Sequence, residues 1–214
     1  GENIVAARSN FMAEHKLITG LDYTTQLIGN NDTRFSLVYV RKSGEPYSVT
    51  FDGYDDAFAN DRSDGGYDAA YIPTGAADPN VVFSSAAVAD AVMAHVNGSG
   101  LASYKGTIVP RNAFNSPWTS SLDLRITQDI NVMDGHKVIL YLDITNVLNL
   151  IDDDQGIMEE YSNRSRQIIL DSDNPYDSQG RYNIVGVDPD DGLFVRNKDG
   201  QSSYQWNLGF KYQF

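Results

Sequence analysis

Carboxylates are the side chains in this sequence that most suggest a binding site, and one group of them is dense. Five lie within thirteen residues, interleaved with glycine and asparagine: Asp52, Asp55, Asp56, Asp61 and Asp64. Hard oxygen ligands on a loop suit Ca²⁺, which takes about six to eight of them. The spacing is not that of an EF-hand, and acidic runs are commonly solvated loops. Bound calcium and a solvated acidic loop are therefore two hypotheses for this stretch.

Two further acidic runs have simpler interpretations. Asp152, Asp153 and Asp154 are consecutive, and adjacent carboxylates more often solvate a loop than share a metal ion. Asp188, Asp190 and Asp191 fall in the string DPDDG, whose residue types are typical of a turn.

Catalytic chemistry finds little support in the sequence. His15, His95 and His136 are scattered, and none has a nucleophile beside it. No GxSxG, HExxH or phosphate-binding glycine motif occurs. Cysteine is absent, which excludes thiolate nucleophiles and thiolate metal sites. We expect the protein not to be an enzyme.

The composition limits the other classes of function. Of the 214 residues, 16 are Lys or Arg and 29 are Asp or Glu, so the formal net charge is −13. Such a chain repels phosphate backbones, and we expect no nucleic-acid partner. No apolar run approaches the roughly 20 residues of a spanning helix, whereas a spanning strand needs only alternating apolar residues. The sequence opens with Gly1-Glu2-Asn3, without an initiator Met and without the basic and apolar regions of a signal peptide, so we expect a processed or partial chain.

Five segments alternate apolar and polar residues with a period of two, the pattern of β-strands. Each is at least as long as the roughly 9–11 residues of a tilted transmembrane strand. The second could extend through Val49 and Phe51. The five segments are Lys16–Ile28, a run that starts near Arg34, Ser120–Ile130, Lys137–Asn149 and the C-terminal run Tyr204–Phe214.

The connections between these segments alternate in length. Gly29–Thr33 and Asn131–His136 are short, whereas Asp52–Pro117 and Leu150–Gln201 are long. Alternation of short turns and long loops is typical of an outer-membrane barrel. The long loops carry net charges of −5 and −7, which together are −12 of the total −13. The predicted strands are therefore nearly neutral.

One helix is predicted inside the first long loop. Ser84 or Ser85 can cap it, and Asn97-Gly98 ends it. Val88, Val92 and Val96 fall on one stripe, and we expect this stripe to pack the loop.

The polar faces of two predicted strands hold a second set of candidate residues. If these strands line a lumen, the set contacts substrate or a plug; the alternative is structural ion pairing between neighbouring strands. The residues are Asp123, Arg125, Lys137, Tyr141 and Asp143.

Several strings together carry a family resemblance. They are PYSVTFDG (Pro46–Gly53), AAYIPTGAADPNVVF (Ala69–Phe83), GTIVPRNAFNSPWTSSLDLRITQDI (Gly106–Ile130), GHKVILYLDITNVLNLIDDDQG (Gly135–Gly156) and SYQWNLGFKYQF (Ser203–Phe214). In this order they resemble the C-terminal part of TonB-dependent outer-membrane receptors, and the YIP, PRN and SPW elements resemble the Oar-like branch.

The resemblance implies an all-β fold. It would be an antiparallel transmembrane β-barrel segment with about five long strands, two long external loops and one short loop helix. Residues 1–214 would be the C-terminal part of a larger plugged barrel, with the plug and the TonB box outside this chain. The implied location is the bacterial outer membrane.

The resemblance also implies partners and a role. The partners would be outer-membrane lipid, the rest of the barrel, the plug and, through the missing N-terminal region, TonB. The outer loops would capture a substrate, and the branch suggests a peptide or protein cargo. No cofactor is expected, other than the Ca²⁺ considered above.

The C-terminal strand resembles the signal that directs assembly of outer-membrane barrels. Its alternating large residues are Tyr204, Trp206, Leu208, Phe210, Tyr212 and Phe214. The alternative for this strand is the amphipathic last strand of a soluble sheet. For the whole chain, the alternative function is a soluble or surface-anchored β domain that binds carbohydrate or calcium through its acidic loops.

Overall fold

The computed structural model describes residues 8–9, 11–52, 69–161, 166–171, 176–187, 193–195 and 202–214. The fold is mostly β with antiparallel sheets, in agreement with the predicted all-β class. The strands are β1 (Lys16–Ile28), β2 (Asn31–Lys42), β3 (Pro46–Asp52), β4 (Val81–Phe83), β5 (Phe114–Asn115), β6 (Thr119–Met133), β7 (His136–Thr145), β8 (Glu159–Tyr161), β9 (Arg166–Asp171), β10 (Tyr182–Ile184), β11 (Leu193–Val195) and β12 (Gln205–Gln213).

The helices of the described residues are few and short. They are α1 (Ala86–Gly98), α2 (Val147–Ile151) and a single 3₁₀ helix (Gly100–Tyr104). None of them has both the length and the apolar character that crossing a membrane requires.

The chain divides into two compact units. The first, the sheet unit, consists of Ala13–Gly44, Pro117–Glu160 and Val195–Phe214. The second, the core unit, consists of Gly1–Met12, Glu45–Ser116 and Tyr161–Phe194.

The sheet unit contains the five long strands, in the order β1-β2-β6-β7-β12 with every neighbouring pair antiparallel. Two tight turns close its hairpins. Gly29 has a φ of 56° and Gly135 a φ of 81°, values that glycine adopts without a steric penalty. The predicted strands at Lys16–Ile28, Ser120–Ile130 and the C-terminus are confirmed, with small changes at their ends.

The register of the sheet separates two kinds of side chain. One row across all five strands is Tyr23, Phe35, Ile126, Leu142 and Leu208, and the next row on this apolar face is Leu21, Leu37, Leu124, Ile144 and Trp206. A row of the opposite, polar face is Asp22, Ser36, Arg125, Asp143 and Asn207. Because successive side chains point to opposite faces, the period-two pattern becomes one apolar face and one polar face.

The second predicted strand does not run on through Val49 and Phe51. β2 ends at Lys42, and β3 is a separate strand of the core unit that pairs with β5 and β9. At the break, Ser43 is buried, and its hydroxyl accepts hydrogen bonds from the backbone N–H groups of Glu14 and His15. Pro46 then starts β3, a position that needs no N–H donor.

The fourth predicted strand is also shorter than expected. β7 ends at Thr145 rather than Asn149, and Asn146 adopts a left-handed backbone with a φ of 55°. The following residues form α2. Asn is one of the few non-glycine residues that tolerate this conformation, so the chain leaves the sheet at this point.

The first long connection folds into most of the core unit instead of a simple loop. Its core includes Val49, Ile72, Val92, Val96 and Ile184, all at most 1% exposed. The predicted helix is confirmed as α1, and the Ser85 hydroxyl caps it by accepting a hydrogen bond from the Val88 N–H at 3.2 Å.

Candidate functional site

The centre of the polar face is an ion pair between adjacent strands. The Nε and Nη2 atoms of Arg125 donate to the two carboxylate oxygens of Asp143 at 2.5 and 2.7 Å. The two residues are register partners on β6 and β7, which allows this two-pronged geometry. The Arg125 guanidinium carbon also lies 5.9 Å from the centre of the Tyr141 ring, within range of a cation–π contact.

A second charged cluster lies nearer the hairpin turns. Asp129, with a side chain only 7% exposed, accepts hydrogen bonds from Arg34 at 3.1 Å and Lys137 at 3.0 Å. Arg34 also contacts Asp32 at 3.0 Å. Arg34 and Asp129 are not among the candidate site residues predicted from the sequence, because their proximity depends on the register between β2 and β6.

The opposite end of the polar face holds a pocket of about 280 Å³. Two lysines on paired strands and an Asp–Asn pair line it: Lys16, Lys42, Asp123 and Asn146. The Asp123 carboxylate accepts a hydrogen bond from the Asn146 backbone N–H at 2.9 Å. The pocket therefore combines cationic and hydrogen-bond-accepting groups, and we call it the lysine pocket.

Asn146 is the most constrained residue of the lysine pocket. It is 2% exposed, and its side-chain amide donates to the Gly156 carbonyl at 2.8 Å. Its Oδ1 is buried and accepts no hydrogen bond from any described residue. Gly156 has a φ of 64°, and a Cβ at that position would collide with the Asn146 side chain. The pocket wall thus requires glycine at position 156.

The five residues predicted to face a lumen share one face of the sheet, but the structure distributes them over three places. Arg125, Tyr141 and Asp143 lie together, Lys137 belongs to the Asp129 cluster, and Asp123 lines the lysine pocket. Their observed contacts are two ion pairs between neighbouring strands, one cation–π contact and the hydrogen bond that Asp123 accepts from Asn146 just after β7. A role of these residues in substrate contact stays a prediction.

The predicted calcium ligands fall largely outside the described residues. Asp52 ends β3, and Asp55, Asp56, Asp61 and Asp64 lie outside the described ranges, as do Asp188, Asp190 and Asp191. The consecutive Asp152, Asp153 and Asp154 are exposed, with carboxylate oxygens within 4.8 Å of one another.

The apolar face of the sheet is exposed at both of its edge strands. On β12, Leu208 and Phe210 are each 72% exposed, and on β1, Leu21 is 61% exposed. Four of the residues predicted to form an assembly signal share this face, namely Trp206, Leu208, Phe210 and Tyr212. Tyr204 precedes β12 and Phe214 follows it.

Aromatic groups lie at both ends of the apolar face. At one end the rings of His15 and Trp118 stack with centres 6.1 Å apart, and Arg41 lies 5.5 Å above the Trp118 ring. At the other end His136 and the Tyr212 hydroxyl share a hydrogen bond of 2.5 Å.

Comparisons with models of protein families, with curated proteins and with solved structures found no match to this chain.

The core unit contains a buried carboxylate whose contacts indicate a structural role. Burial alone would raise the pKa of Asp78, but hydrogen bonds from the N–H groups of Thr74 and Asn80 and the hydroxyls of Thr74 and Tyr71 lower it below its ordinary value. Burial also raises the pKa of Tyr71. Because these partners all lie between Tyr71 and Asn80, Asp78 holds this segment of the chain together.

Proposed function

We propose that this chain supplies barrel-closing strands of a TonB-dependent transporter in the bacterial outer membrane, with its outer segments contributing to substrate capture. The observation that carries the proposal is the five-stranded antiparallel sheet with an exposed apolar face and an ion-paired polar face. The role is transport and recognition, without catalysis.

The apolar face supports a lipid environment. Soluble monomers rarely expose a contiguous apolar patch of more than a few hundred Å², yet large apolar side chains are exposed along β1 and β12. On β6 the apolar face runs from Leu122 to Ile130 and contains one polar residue, Gln128, which accepts a hydrogen bond from the Thr33 hydroxyl. The eight steps from Leu122 to Ile130, at about 3.4 Å each, cover after the usual tilt about 20 Å of an apolar band about 25 Å tall.

The polar face fits the inside of such a barrel. Charges that face a wet lumen pair across neighbouring strands, as Arg125 does with Asp143 and Arg34 with Asp129. Aromatic residues at the two ends of the apolar face fit the girdles that mark the two membrane interfaces.

The unpaired edges of the sheet support the proposal that this chain is part of a larger barrel. Within the described residues, β1 and β12 each pair with a strand on one side only. Lipid cannot satisfy the free backbone N–H and C=O groups of an edge strand. Further barrel strands would cover both edges, a plug would fill the lumen and TonB would act on that plug.

Capture of the substrate is assigned to the two long connections, 52–117 and 150–201, which hold most of the negative charge. The resemblance of the sequence strings suggests a peptide or protein cargo. Release into the lumen would follow movement of the plug.

Cysteine labelling in native membranes tests the proposal. Asn207 and Leu208 are neighbours on β12, both exposed in the chain, and they point to the polar and the apolar face. The natural protein has no cysteine, so Asn207→Cys and Leu208→Cys each introduce one reactive group.

A membrane-impermeant maleimide is expected to label Asn207→Cys in outer-membrane fractions and to leave Leu208→Cys unlabelled until detergent is added. Equal labelling of both variants without detergent would overturn the proposal and would favour a β domain outside the membrane.

A further inference from the structure

We infer that the lysine pocket binds the carboxylate of a short peptide segment. The inference names a ligand class for the proposed cargo and to that extent rests on the proposed function. The binding chemistry itself depends only on the pocket.

The two lysines are placed to hold an anion. Lys16 and Lys42 are register partners on β1 and β2, so their side chains lie directly opposite on one face. Like charges in this arrangement repel each other. Neither lysine forms an ion pair with a carboxylate in the part of the chain that the structure describes, although both line the pocket. An anionic group between them would remove the repulsion.

The other end of the pocket presents a carboxylate. The Asn146 Oδ1 is buried against Gly156, so the acceptor that the pocket offers to a ligand here is the Asp123 carboxylate. Among the described residues, only one oxygen of this carboxylate accepts a hydrogen bond, from the backbone N–H of Asn146. A ligand that carries an N–H group can donate to the second Asp123 oxygen, whereas a simple anion cannot.

The remaining wall favours a peptide over a sugar. It has no aromatic ring among its described residues on which a sugar could stack, and it includes the aliphatic side chains of Val40, Ile157 and Met158 beside the hydroxyl-bearing residues Thr119, Ser120, Ser121 and Thr145. A peptide offers the three features that the pocket requires: a carboxylate, backbone N–H donors and small apolar side chains.

The dimensions set the length of the ligand. Thr119 lies beside Lys42 in the register and Asp123 is four residues further along β6. At about 3.4 Å per residue this separation is about 14 Å, which an extended peptide of about four residues spans. The volume of about 280 Å³ is near the lower end for ligand pockets.

Calorimetric titration of the full chain in detergent tests the inference. Three probes are compared: acetyl-tetra-alanine with a free C-terminal carboxylate, its C-terminal amide, and an acetyl-tetrapeptide amide with one glutamate. Binding of either acid at least about tenfold tighter than the neutral amide is expected. The preferred acid tells whether the site takes a chain terminus or an acidic side chain.

Lys42→Gln and Lys16→Gln are each expected to weaken binding of the preferred acid about tenfold. Lys211→Gln is the matched control: it removes the same charge on exposed β12, outside the pocket, and is expected to leave the affinity unchanged. Equal binding of acid and amide, no saturable binding of any probe, or unchanged affinity in both pocket variants would each overturn the inference.

The outcome is separable from that of the proposed function. Selective acid binding combined with equal labelling of the two cysteine variants would support carboxylate binding in the lysine pocket and contradict the transmembrane barrel. Labelling of Asn207→Cys alone, without selective acid binding, would support the transmembrane barrel and contradict carboxylate binding in the lysine pocket.

Discussion

Tyr141 lies over Gly209, its register partner on the C-terminal strand, so closely that a Cβ at position 209 would collide with the phenol ring. The Arg125 guanidinium carbon lies 5.9 Å from the centre of the same ring. Glycine weakens a strand because it has no side chain to pack, and an aromatic ring across the strand compensates for this. β12 is thereby packed against the centre of the polar face.

Replacing Gly209 with alanine is expected to destabilise the protein by about 1–3 kcal/mol, the usual cost of overpacking. The added methyl group must displace the Tyr141 ring. The free energy of unfolding, measured by denaturant titration in detergent, checks this. Gly20→Ala on β1 is the control, because its Cβ would have its nearest neighbour at 3.9 Å, an ordinary contact. Equal stability changes in the two variants would contradict the packing role.

The pair Arg125–Asp143 is expected to contribute modestly to stability. Its side chains are 59% and 25% exposed, so water screens the attraction, and a double-mutant cycle of Arg125→Gln and Asp143→Asn is expected to give a coupling of about 0.2–1 kcal/mol. The coupling should decrease when the salt concentration rises. A coupling that is insensitive to salt would argue against an ionic origin.

Replacing Gly156 with alanine is expected to destabilise the protein and to displace Asn146 from the lysine pocket. An alanine at this position would be strained by the left-handed backbone, and its Cβ would collide with the Asn146 side chain. Gly135→Ala separates the two causes, since Gly135 has a φ of 81° but open space around its Cβ position. We expect the loss in unfolding free energy to be larger for Gly156→Ala than for Gly135→Ala. Equal losses would mean that backbone strain alone accounts for both.

Asp78 is expected to make stability depend on pH in the acid range. Its pKa in the folded chain lies below the ordinary value, which for an unfolded chain is about 3.9. The folded state therefore favours the ionised form, and the stabilisation is complete well above pH 4 and is lost as the pH falls through the folded pKa.

The difference in unfolding free energy between the natural protein and Asp78→Asn, followed from pH 7 to pH 3, checks this expectation and should shrink at the acid end. A difference for Asp78→Asn that is constant with pH would mean that the carboxylate charge does not contribute.

The sequence alone determines the faces of the sheet. Because strand side chains alternate strictly, the pattern of Leu122, Leu124 and Ile126 against Asp123 and Arg125 was enough to predict which residues lie together on each side. Glycines at the two short turns and the Ser85 cap of α1 are equally local signals, and the structure agrees with each.

The tertiary structure alone decides which residues meet across strands. The pairings of Tyr141 with Gly209 and of Lys16 with Lys42 depend on register, which no local pattern contains. The parallel pairing of β3 with β9 joins segments more than a hundred residues apart, and for this reason the long connections looked like loops. The buried acceptor of Asn146 likewise arises only where the end of β7 meets Gly156. Local periodicity fixes the direction of each side chain, whereas partners, pockets and cores are set by contacts between residues distant in sequence.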